Sequence, residues 1–87
     1  MSDANPTFAV VGAGSWGTAL AMLLADNGHP TTLWAHTPAH AEILQQDRSN
    51  QRYLPGIKFP AALNVSSDLT EVIPTADIVL LVVPSHA

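Results

Sequence analysis

Apolar residues along this chain follow two rhythms. Short continuous runs (Phe8 to Val11, Thr31 to Ala35, Ile78 to Val83) alternate with segments whose apolar positions recur at helical spacing. A continuous run bounded by turn residues suits a strand buried on both faces of a parallel sheet. Trp16, Ala19, Leu20, Leu23 and Leu24 predict a helix from about Ser15 to Asn27 with those side chains facing inward. Asn27-Gly28 supplies its stop, since glycine accepts the left-handed conformation common after a helix end. Thr37-Pro38 reads as the N-cap and first residue of a second helix. That helix carries Ala41, Ile43 and Leu44, then fades into the polar residues 45–50. Pro55, Gly56 and Pro60 forbid regular helix over 53–60, which reads as an ordered loop. Leu63 to Ser66 gives a third strand, and Asp68 to Glu71 begins a short capped helix that ends near Pro74. Asp77 opens the last strand, and His29 reads as a surface turn residue.

The order β-α-β-α-loop-β-α-β is an α/β plan, an open parallel sheet wound by right-handed crossovers. Its first unit carries candidate chemistry. Gly12, Gly14 and Gly17 form G-x-G-x-x-G between a strand and a helix, the context that gives the motif physical meaning. Gly12 makes the tight turn, Gly14 lets backbone approach a pyrophosphate, and Gly17 lets helix and strand come close. Free N–H groups at the helix start, with the positive end of the helix dipole behind them, would face the phosphates. A dinucleotide is the expected ligand, and the sheet is the first mononucleotide-binding half of a Rossmann-type doubly wound fold. Trp16, inside the turn, would either cover the cofactor or anchor the helix to the core. Tyr53, in the proline-rich loop, would either line the site or plug the space beneath the loop.

The end of the second strand bears on which dinucleotide. An NAD site usually places Asp or Glu there for the ribose 2′-hydroxyl; this chain has Ala35-His36-Thr37. Without an acid nothing repels a 2′-phosphate, and His36 with Thr37 can donate hydrogen bonds to one, so NADP is expected beside NAD. His36 and His40 stand four apart, a metal-binding spacing on a helix. His36 precedes the helix and no third ligand is apparent, so no metal is expected. His86 follows the last strand at the edge where such sheets bind ligands.

Composition narrows the reading. The 87 residues hold one small domain or part of a larger one, and 47% hydrophobic with 11% charged residues is too apolar for a disordered chain. The formal charge of −4 and scattered Arg48, Arg52 and Lys58 leave no nucleic-acid footprint. With no cysteine there is no disulfide scaffold or cysteine metal site. The N-terminus lacks a signal-peptide pattern, and no apolar run is long enough to span a bilayer, so a cytoplasmic protein without membrane insertion is expected. A chain stopping just after a buried strand reads as truncated. On this reading residues 1–87 are the N-terminal part of an NAD(P)-binding domain, with the rest of that domain and a C-terminal substrate domain beyond them.

Three segments together, Gly12 to Ala21, Asn50 to Ile57 and Val82 to Ala87, resemble bacterial-type NAD(P)-dependent glycerol-3-phosphate dehydrogenase. The resemblance implies interconversion of dihydroxyacetone phosphate and sn-glycerol 3-phosphate for phospholipid synthesis. Hydride would pass from nicotinamide to the ketone carbon, and a protonated lysine would supply the proton. It further implies that Ser15 and Trp16 contact the cofactor at the pyrophosphate turn. His36 takes the family's basic position at the 2′-phosphate, where many members carry Arg, and Tyr53 is a further contact. The catalytic lysines and ligands of the small phosphorylated substrate lie later in the family's chain, so no catalytic residue is assigned and the chain alone is expected to be inactive. Homodimer formation stays open. The alternatives are another two-domain dehydrogenase, of ketopantoate reductase or 3-hydroxyacyl-CoA dehydrogenase type, or a regulatory module that senses NAD(H) without turnover.

Overall fold

Residues 6–12, 14–51 and 56–82 are described by the computed structural model, with Ser15 described in its backbone alone. Four strands, β1 (Phe8–Val11), β2 (Thr31–Trp34), β3 (Leu63–Ser66) and β4 (Ile78–Leu81), form one parallel sheet in the order β3-β2-β1-β4. Three helices connect them: α1 (Ser15–Asp26), α2 (Pro38–Asp47) and α3 (Leu69–Thr75). This is the α/β parallel sheet expected from the pattern. Register puts Val10 beside Leu33 and Leu80, and Leu33 beside Val65, on one face of the sheet. Val10, Leu33, Ala35 and Leu63 join Ala21 and Ala25 of α1 and Ala41 and Leu44 of α2 in a single buried cluster closed by Phe59. α3 lies on the opposite face, where a cleft of about 310 Å³ is lined by Thr32, Asn64, Ser66, Glu71 and Thr75 among others.

α1 departs from its expected orientation. The residues buried against the core are Gly17, Thr18, Ala21 and Ala25, whereas Trp16 is 70% and Leu23 58% exposed. Leu24 packs at the margin of the core. The reason is distance: α1 rides so close on the sheet that only small residues, four apart, fit beneath it. In α2, Ala41 and Leu44 are buried as expected but Ile43 points outward. This helix does not fade at 45; it continues to Asp47 and is capped by Arg48 in the left-handed conformation (φ 52°). The Arg48 guanidinium repays that conformation by donating to the Pro60 and Leu63 carbonyls at 2.9 and 2.7 Å and to Gln45 Oε1 at 2.8 Å. It thereby ties the end of α2 to the entry of β3.

β4 is not the buried strand its composition suggests. Ile78, Val79 and Leu81 are exposed, Leu81 by 70%, with β4 at the end of the strand order β3-β2-β1-β4. Its start is locked to β1. The Thr7 amide donates to Asp77 Oδ2 at 2.9 Å, and the Asp77 amide returns a bond to Thr7 Oγ1 at 3.0 Å. His29 is half-buried rather than a free surface residue, its ring edge-on to Phe8 with 5.2 Å between centroids.

The caps follow the sequence closely. Thr37 Oγ1 accepts from the His40 amide at 3.2 Å with Pro38 opening the helix. Asp68 caps α3, accepting from the Thr70 hydroxyl at 2.6 Å and the Thr70 amide at 3.0 Å. α3 runs one residue past Pro74, to Thr75, whose hydroxyl bonds back to the Val72 carbonyl at 3.0 Å. The Thr70 hydroxyl bond, helped by the Thr70 and Glu71 amides, holds the Asp68 carboxyl below its ordinary value of 3.8. A depressed folded value means the cap stabilises α3 above that ordinary value and loses its effect as pH falls through the folded one. Asp68→Ala is therefore expected to lower the denaturant midpoint at pH 7. The gap to the parent should close below about pH 4; a gap independent of pH would show that the carboxylate is not the cap.

Candidate functional site

The glycine turn lies where strand order reverses. From β1 the chain goes one way to β2 and β3 and returns to place β4 on the other side, so the ends of β1 and β4 flank a switch point of the kind that opens a crevice in parallel sheets. Gly12 sits at that junction with φ 129°, and its amide donates to the Trp34 carbonyl at 3.3 Å. A Cβ on Gly12 would overlap the carbonyl oxygen of Val82, the residue just past β4. Glycine is required there by both the conformation and the space.

Gly17 does a different job. A Cβ there would overlap the Gly12 carbonyl oxygen and approach Val10 Cγ1 at 3.7 Å. The first turn of α1 therefore rests directly on the backbone of the turn that precedes it. Gly14, the N-cap of α1, is the converse: a Cβ built on it meets no atom within 4 Å. The open side of the turn is at Gly14 and the packed sides are at Gly12 and Gly17.

α1 starts without a capping side chain and without an acid in its first turn. Its first intrahelical bond is from the Thr18 amide to the Gly14 carbonyl at 2.9 Å, so the amides ahead of Thr18 have no helical acceptor. Uncapped N–H groups at the positive end of a helix, beside open space, are an anion cradle. Trp16 stands out from the same turn, so it does not anchor α1 to the core. His36, just past β2, is exposed, with its ring edge-on to Trp34 at 5.8 Å between centroids. The Trp34 carbonyl that receives the Gly12 amide ties this strand end to the glycine turn.

The structure thus brings Gly12, Gly14, Trp16 and Gly17 into one turn and sets His36 at the end of the adjacent strand. Ser15 contributes its backbone to the first turn of α1. Tyr53 and His86 lie outside the described residues, as does the segment 83–87. The cleft beside α3 shares no residue with this turn. Sequence reading overlooked a buried polar pair beneath the turn: Asn50 Nδ2 donates to Thr18 Oγ1 at 2.8 Å, with Asn50 1% and Thr18 0% exposed. Its sequence signals are an asparagine in the polar run just before the proline-rich loop and its place at the head of the Asn50 to Ile57 segment.

The family model described as NAD-dependent glycerol-3-phosphate dehydrogenase N-terminus matches residues 7–87. A glycerol-3-phosphate dehydrogenase [NAD(P)+] from Aeromonas hydrophila is 56% identical over 77 residues, covering 88% of this chain and 23% of the relative. The enzyme of the same description from Legionella pneumophila is 53% identical over 81 residues, covering 93% and 25%. Among solved structures, glycerol-3-phosphate dehydrogenase from Coxiella burnetii superposes with a TM-score of 0.87 at 41% identity, over 93% of this chain and 25% of that one. The yeast enzyme from Saccharomyces cerevisiae gives 0.79 at 29% identity, over 93% and 27%. The chain spans about a quarter of the length of these relatives.

The two glycines predict opposite phenotypes. Gly17→Ala drives a methyl into the Gly12 carbonyl and is expected to cost about 1–3 kcal/mol, as overpacking does. Gly14→Ala places its methyl in open space at an allowed φ of −76° and should stay within about 1 kcal/mol of the parent. Urea unfolding of both variants checks this; equal losses would mean that the close approach at Gly17 does not hold the unit together.

Proposed function

The chain belongs to the NAD-dependent glycerol-3-phosphate dehydrogenase N-terminal family, and from that premise we propose that it docks NAD(P)(H) for the interconversion of dihydroxyacetone phosphate and sn-glycerol 3-phosphate. The observation that carries the reading is the uncapped N-terminus of α1 facing the open side of Gly14. The residues fit the group: a pyrophosphate needs close backbone, free amides and no side chain in the way, and Gly14 with the first turn of α1 supplies all three. In this reading Gly12 and Gly17 hold the turn's shape, Ser15 and Trp16 border the phosphates, and His36 faces the adenosine ribose. Tyr53 is a further cofactor contact.

Bound there, the nicotinamide supplies the hydride; this chain's residues bind and orient the dinucleotide. Residues 1–87 are then the N-terminal part of the cofactor domain, and the phosphorylated substrate and the proton donor are met by other parts of the protein. The setting is glycerophospholipid synthesis in the cytoplasm, and a homodimer is compatible with it. Among the described residues no helix is long and apolar enough to cross a membrane.

Turnover tests the reading. The protein that carries this chain should oxidise NADH and NADPH when given dihydroxyacetone phosphate, and cofactor binding without such turnover would contradict it. His36 sets the balance between the two cofactors. No acid stands at the end of β2, so His36→Asp introduces a like charge against a 2′-phosphate. The variant should weaken NADPH binding at least about tenfold (~1.4 kcal/mol) while sparing NADH. Equal losses in fluorescence titrations would place His36 away from the 2′-position.

A further inference from the structure

The buried pair beneath the glycine turn has no part in the cofactor contacts just described. Asn50 lies between two kinds of structure. Behind it, Ser49 pairs with Lys58 in an antiparallel bridge that closes the base of the 50–57 excursion. The same base is tied by the Phe59 amide to the Arg48 carbonyl and by Lys58 Nζ to the Asp47 carbonyl at 3.3 Å. Ahead of it, the Asn50 side chain crosses to α1 and donates to Thr18 Oγ1 at 2.8 Å, 32 residues away in sequence.

Thr18 is not an arbitrary point on α1. Its amide makes the helix's first intrahelical bond, to Gly14, and it follows Gly17, the residue seated on the Gly12 carbonyl. A hydrogen bond to Thr18 therefore grips the helix at the turn that presents its free amides. Both side chains are fully buried, so the bond is shielded from competing water and has little geometric slack. A purely space-filling role would be served by apolar residues of the same size, and a surface loop tether would not be buried.

We infer that Asn50 and Thr18 are a positioning pair for the dinucleotide site: their hydrogen bond fixes the first turn of α1 against the base of the 50–57 excursion and so sets the aim of the phosphate-facing amides. The inference rests on the cofactor reading above. It makes Asn50 a determinant of cofactor affinity without contact to the cofactor.

The test uses the protein that carries this chain, with NADH and NADPH binding followed by fluorescence and folding by thermal unfolding. Thr18→Val keeps the volume and removes the acceptor; it should raise Kd for both cofactors about tenfold, since 1.4 kcal/mol of lost aim is a factor of ten. Thr18→Ser keeps the hydroxyl and should bind as the parent does. The paired change Thr18→Val with Asn50→Leu removes both ends of this hydrogen bond. It should weaken binding no further than Thr18→Val alone, because that variant has already lost the bond. Folded Thr18→Val, or the folded pair, with the parent's Kd overturns the positioning role. A parent that binds neither cofactor overturns instead the reading on which the inference rests.

Discussion

The seat of Gly17 on the Gly12 carbonyl is the contact on which the rest of this structure depends. It brings α1 onto β1 at a separation no side chain tolerates. That separation selects Ala21 and Ala25 for the buried face of the helix and turns Trp16 and Leu23 outward. It also fixes where the helix begins. Because the first turn rests on the backbone of the preceding loop, its free amides are held at the end of β1 rather than wherever a flexible loop would carry them. Preorganisation of that kind lowers the ordering cost of binding an anion.

A second constraint works from the end of α2, on the same face of the sheet as α1. Arg48, in a left-handed conformation with its guanidinium on two carbonyls, ends α2 and starts the path into β3. From that anchored base Asn50 reaches Thr18. The glycine turn is thus braced twice, by backbone contact at Gly12 and by a buried side-chain bond at Thr18. The open side at Gly14 is left unbraced, and that is the side a ligand needs.

Much of this was legible in the sequence because it is local. Thr37-Pro38 and Asp68-Leu69-Thr70-Glu71 announce helix starts through their own side chains, and G-x-G-x-x-G announces the turn through what glycine permits. The inward face of α1 was legible in part: Gly17 and Ala21 announced a close approach, but hydrophobic spacing rewards large residues and set Trp16 and Leu23 inward, whereas closeness rewards small ones. Gly17, Ala21 and Ala25, four apart, carried the correct signal. The exposure of β4 was not legible at all: an apolar run specifies a strand but not what covers it. Arg48 gave no warning, since neither its type nor its neighbours mark a left-handed cap. Asn50 looked like one residue of a polar run until the fold set it against Thr18. Continuous apolar runs and the 3.6-residue rhythm reveal elements; contacts between distant elements are set by packing that no window of sequence contains.

In the proposed function the free amides of the first turn of α1 receive the pyrophosphate of a nicotinamide dinucleotide. Backbone amide chemical shifts of the protein titrated with ADP-ribose test it most directly, because that probe carries the pyrophosphate without the nicotinamide. The largest changes are expected at Gly14, Trp16 and Gly17, with a smaller response at His36 and none at Asn64 or Glu71 beside α3. Changes centred on the α3 cleft, with the first turn of α1 unmoved, would contradict it.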